Sequence, residues 1–77
     1  MLVTLIGKQN LNFVTKEGKS VVGTVLYVAY KNENIEGAKA DRFFVSDKVA
    51  IPKEMTLNAK LDLGFNNKGK IEKITII

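Results

Sequence analysis

The chain has no cysteine and no histidine among its 77 residues. Without cysteine, no disulfide can staple the fold and no thiolate can hold a metal. Without either residue type the usual zinc sites are excluded. So is nucleophilic catalysis of the Ser-His or Cys-His kind. Proline occurs once, at Pro52. No apolar run approaches the ~18 residues of a membrane span. The opening MLVTLIGKQNLNF lacks the basic start and the long apolar stretch of a secretion signal. A cytoplasmic protein, with no membrane partner, is expected.

Acidic residues are the minority charge, eight against twelve Lys and Arg, giving a net charge of +4. Such an excess suits polyanionic partners and leaves the fold open. The lysines are spread from Lys8 to Lys73 and form no dense basic tract. The carboxylates are Glu17, Glu33, Glu36, Asp41, Asp47, Glu54, Asp62 and Glu72. Most stand in turns or alternate with lysine, which is the pattern of solvated surface charge rather than of a paired acid and base. KEGK (16–19) and NNKGK (66–70) contain glycine but match no phosphate-binding loop or dinucleotide fingerprint. No catalytic residue, metal ligand set or cofactor is expected, and the chain does not read as an enzyme.

What the chain has in quantity is strand-forming sequence. Val, Ile, Thr, Tyr and Phe recur in short runs separated by turn signals, and no window carries a 3.6-residue apolar period. The first run is Met1 to Ile6, with Gly7 as a break or bulge, and apolar character resumes over Leu11 to Thr15. Leu11 and Phe13 share a face, read as core. KEGK turns the chain into the longest strand, Ser20 to Lys31, where Gly23 marks a bulge or sharp bend. Residues 32 to 40, NENIEGAKA, form a polar wing, and Ala40 to Ser46 a third strand. Residues 47 to 55 connect, with Pro52 blocking ladder pairing. They leave room for no helix, or a single turn at most. Thr56 to Phe65 alternates, with Leu57, Ala59, Leu61 and Leu63 on one face. The last strand is Lys70 to Ile77, with a bulge between Glu72 and Lys73 where the apolar spacing slips.

Seventy-seven residues make one small domain. Five strands in so short a chain suggest an all-β barrel that hides its edges by closure or near closure. The long second strand with its central glycine favours a five-stranded OB-like Greek-key barrel over an SH3-like one, with little or no helix. A domain of this size buries only ~60% of its chain surface. Lacking staples, it is a candidate for oligomerisation, and a homodimer is expected.

The candidate binding residues follow from strand parity. In DRFFVSDK (41–48), Phe43 and Val45 share one face, read as core. Arg42, Phe44 and Ser46 share the other. A cation, an aromatic ring and a hydroxyl on an exposed strand face suit single-stranded nucleic acid, whose bases stack on rings while cations meet phosphate. Packing of Phe44 under the wing or in a protein interface is the competing reading. Tyr27 is the second stacking candidate, and Tyr30, of opposite parity, is read as core or interface. Phe65 stands where it would cap the barrel. The cations that could track a phosphate backbone are Lys16, Lys19, Lys31, Lys39, Arg42 and Lys60.

The order of elements, with IPKEMTLNAKLDLGF and GKIEKITII in the last third, resembles the single-stranded DNA-binding (helix-destabilising) proteins of filamentous phages. Similar short proteins occur on bacterial mobile elements. The shared features are a proline turn before an alternating strand, then a glycine turn before the run Ile71, Glu72, Lys73, Ile74, Thr75, Ile76. The resemblance implies an OB-type barrel and a homodimer that coats single strands cooperatively during DNA replication. It also implies base stacking by aromatic residues, carried here to Tyr27 and Phe44. The wing NENIEGAKA departs from the pattern, having two glutamates and no aromatic residue. Two other readings stand beside it, an RNA-binding OB protein and a protein-interaction barrel of a phage or mobile element.

Overall fold

The computed structural model describes residues 1–53 and 55–77; Glu54, one of the carboxylates assigned above to the solvated surface, lies outside the described residues. Five strands are present, and no helix among the described residues. They are β1 (Leu2–Val14), β2 (Ser20–Lys31), β3 (Ala38–Ser46), β4 (Lys60–Phe65) and β5 (Ile71–Ile76). All pair antiparallel in one sheet of order β3-β2-β1-β4-β5. The chain therefore crosses from one edge at β3 to the far side of β1 before entering β4.

The expected closure is not reached. β3 and β5 are the two edges, and no ladder joins them. Side chains of β3 and the end of β4 bridge the gap instead. Phe43 on β3 meets Phe65 at the end of β4 edge to face, with ring centroids 5.5 Å apart and planes at 63°. Inside the curl lie Val3, Leu5, Leu26, Val28, Val45, Met55, Leu61, Leu63, Ile71 and Ile74, all buried. Tyr30, Phe43 and Phe65 are half-buried against this cluster.

Two register shifts decide which residues enter it. In β1, Leu5 opposes Val28 and Gly7 opposes Tyr27, so Ile6 is a surplus residue. The two apolar runs of the opening segment are thus one strand with a bulge, not two pieces. Upstream of Ile6, odd residues face the core. Downstream, odd residues share a face with Tyr27, away from it. This corrects the core placement of Leu11 and Phe13. Leu11 is half-buried and Phe13 is 48% exposed, both on the outer face. The second shift lies near the expected bulge of β5. Gly64 opposes Lys73 and Phe65 opposes Ile71, which leaves Glu72 surplus. At Gly23 no shift occurs; pairing runs unbroken from Lys31–Ala38 to Gly23–Ser46.

β4 starts at Lys60, later than its alternation suggested. Asn58 adopts φ +70°, a left-handed conformation that ends the extended run. Leu57 is consequently exposed rather than in the core. The turn is fastened to β1, since Asn58 N–H donates to the Leu5 carbonyl (2.7 Å) and Leu5 N–H donates to the Ala59 carbonyl (2.9 Å). Asn tolerates the left-handed region better than other non-glycine residues. Asn58→Ala is therefore expected to lower stability by about 1 kcal/mol, and Asn58→Gly to leave it nearly unchanged, as read from urea denaturation midpoints.

Candidate nucleic-acid interface

The outer face of β1, β2 and β3 is built in transverse rows. Gly7, Tyr27 and Arg42 form one row, Gln9, Val25 and Phe44 the next, and Leu11, Gly23 and Ser46 a third. Alternation places Phe43 and Val45 on the opposite side, toward the core, as expected. Phe44 is 46% exposed. Its ring leans into the row beyond its own and lies on Gly23. A Cβ built on Gly23 would come within 2.5 Å of the Phe44 Cζ. The Val45 carbonyl oxygen would be closer still, at 2.4 Å, so backbone and ring together leave room only for glycine. The tip of the ring is thus held at Gly23 while about half of the residue stays exposed.

Tyr27, Arg42 and Phe44 line one shallow pocket of about 420 Å³ over this face, with Gln9 and Leu11 at its margin. The Tyr27 hydroxyl donates to Gln9 Oε1 (3.4 Å), which orients the ring along the sheet. A second groove, about 660 Å³, follows the open seam between β3 and the β4–β5 turn. Arg42, Phe44, Lys48 and Lys70 line it, together with Glu72. Among the described residues the sole ion pair joins the N-terminal ammonium to Asp62 at 3.0 Å. Arg42, Lys48 and Lys70 therefore have no carboxylate partner among them. The β4–β5 turn that presents Lys70 is braced by Asn66 Oδ1, which accepts from both the Lys68 (2.9 Å) and Lys70 (3.0 Å) amides.

The remaining sequence candidates are distributed. Ser46 lies at the margin of the seam groove, but its hydroxyl donates to Asp47 Oδ1 (3.3 Å) and accepts from the Lys48 amide (3.3 Å). That hydroxyl organises the turn after β3, and the adjacent carboxylate disfavours phosphate there. Lys39 stands 6.0 Å over the Tyr30 ring. Tyr30 in turn donates to Asp41 Oδ2 (3.4 Å), on the face opposite Phe44. Lys31 and Lys60 line a separate, mainly aliphatic groove at the other end of β2. Lys16 and Lys19 stand on the turn joining β1 to β2. Lys48 and Lys70, which sequence reasoning passed over, join Arg42 beside Phe44. Lys48 is there because it follows β3 directly, and Lys70 because the strand order makes β3 and β5 facing edges.

Comparison with protein-family models, curated proteins and solved structures finds no match to this chain. No helix among the described residues is long and apolar enough to cross a membrane.

Proposed function

We propose that this protein binds single-stranded DNA without sequence preference, coating it by base stacking on Phe44 and Tyr27 and by phosphate contacts from Arg42, Lys48 and Lys70. The observation that carries the reading is the Phe44 ring, half-exposed, with its tip against Gly23 and Arg42 and Tyr27 beside it. A preordered ring loses little freedom when a base stacks on it, and stacking accepts any base. The three cations line the adjoining surface with no carboxylate partner among the described residues. An OB-type reading of the sheet fits this placement. Such folds are partly open five-stranded barrels that bind oligonucleotides on the second and third strands and on the 4–5 loop. Tyr27, Phe44 and Lys70 occupy those places.

A fluorescently labelled oligothymidine titrated by anisotropy tests this. Saturable binding is expected at low salt. Its affinity should fall with salt at a log–log slope of about −2, as three phosphate contacts on a single strand predict at ~0.7 each. Arg42→Ala should reduce the slope's magnitude by about 0.7. Absence of saturable binding at low salt overturns the proposal. An oligouridine titrated in parallel decides between DNA and RNA, since stacking alone does not distinguish them.

One observation favours a protein contact as well. Beyond Gly23 the β1–β2 hairpin projects as a two-stranded arm, and Val14 and Val22 are exposed on the face of the arm opposite Phe13. Asn10, Asn12, Ser20 and Thr24 share that face, and the two valines form a small apolar patch among them that suits the homodimer expected from size. A Val14→Asp, Val22→Asp variant should sediment as a monomer if the arm makes the contact, while wild type sediments as a dimer.

A further inference from the structure

Phe13 was read from sequence as core, and the nucleic-acid site described above does not use it. It is 48% exposed and pairs with Val21 on the outer face of the arm. That face is the one carrying Leu11, Tyr27 and Phe44. The rows are consecutive. Tyr27 stands in one, the Phe44 ring leans over Gly23 two rows on, and Phe13 stands in the row after that. From Tyr27 to Val21 is six residues of β2, a track of ~20 Å at ~3.3 Å per residue. The track ends at the 15–19 turn, where Lys16 and Lys19 supply two cations against the single carboxylate of Glu17. The turn is braced, since Thr15 N–H donates to the Lys19 carbonyl (2.8 Å) and Thr15 Oγ1 accepts from the Lys19 amide (3.1 Å).

On the reading that Phe44 stacks a base, we infer that Phe13 is a third stacking platform. The bound strand then runs lengthwise along the β1–β2 arm, with phosphates at Lys16 and Lys19. The occupant is argued from continuity with the Phe44 site and from the net positive charge of the turn.

The experiment compares oligothymidines of about 4 and about 12 nucleotides, lengths within the range one such domain covers. They are titrated against wild type, Phe13→Ala and Phe44→Ala. Wild type should bind the longer oligomer more tightly than its extra sites alone explain. Phe13→Ala should weaken the longer oligomer by about 5- to 150-fold and leave the shorter one unchanged, since one stacked base is lost. Phe44→Ala should weaken both. Lys16→Ala with Lys19→Ala should reduce the salt slope of the longer oligomer by about 1.4. If wild type binds neither oligomer, the function proposed above fails. If wild type binds and Phe44→Ala weakens it while Phe13→Ala binds both lengths as wild type does, only the inference about the arm is overturned. A Phe13→Ala variant that alters sedimentation and not affinity overturns it too, because the outer face is then a protein contact.

Discussion

Gly23→Ala is expected to destabilise the protein by about 1–3 kcal/mol, the usual range for overpacking a filled site. In a domain of this size that corresponds to a fall in Tm of roughly 5–20 °C. The new Cβ would clash with the Val45 carbonyl oxygen and the Phe44 ring. The ring can swing aside, but the carbonyl belongs to the β3 backbone and can move only by shifting the ladder. The two clashes can be separated. In a Phe44→Ala background the ring clash is gone and the carbonyl clash persists. The penalty of Gly23→Ala should shrink there without vanishing, giving a coupling energy between the two positions. Thermal unfolding followed by circular dichroism measures all four variants. Equal Tm for Gly23→Ala and wild type would show that the ring does not rest on Gly23. The variant should also bind oligothymidine more weakly, because the ring is displaced from its place against Gly23.

Phe44→Ala is expected to cost about 1–3 kcal/mol of binding, a 5- to 150-fold loss of affinity for oligothymidine. The fold should survive, since half of the side chain faces solvent and nothing in the core rests on it. The chemistry of the loss can be resolved with two further variants. Phe44→Leu keeps apolar area and removes the π-face, so it should bind nearly as poorly as alanine. Phe44→Tyr keeps the face and should bind like wild type. Leucine binding as well as phenylalanine would replace stacking with plain apolar contact. Loss of folded signal in Phe44→Ala would return the residue to a structural role and remove the basis of the binding site.

The opposite fates of Phe43 and Phe44 were legible in the sequence because they rest on local alternation within one strand. The strand count and the near absence of helix were legible for the same reason. Phe13 was not. Spacing shows that Leu11 and Phe13 share a face, but which face depends on a surplus residue at Ile6 and on pairing with β2. Leu57 misled because alternation continues through it, while the left-handed backbone at Asn58 delays the strand. The grouping of Lys48 and Lys70 with Arg42 is a property of strand order. No local pattern encodes that Lys70, far along the chain, borders the same seam as Arg42 and Lys48. Closure fails at the same seam, where side-chain contact between Phe43 and Phe65 stands in for a ladder.

Ile6 divides β1 into two reading frames relative to the core. A surplus residue in one strand reverses the facing of all that follow it, since side chains alternate with period two. Deleting it would remove the bulge and leave every pair from Gly7–Tyr27 to Val14–Ser20 as it is. Absorbing it into the ladder would instead slip the rest of β1 by one place against β2, and residues 7 to 14 would all trade sides. Leu11 and Phe13 would turn inward, and Asn10 and Asn12 would take their place on the outer surface. No residue would be replaced, yet the arm would exchange an aromatic surface for an amide one. The identity of the exposed surface in this small protein is set by counting as well as by composition.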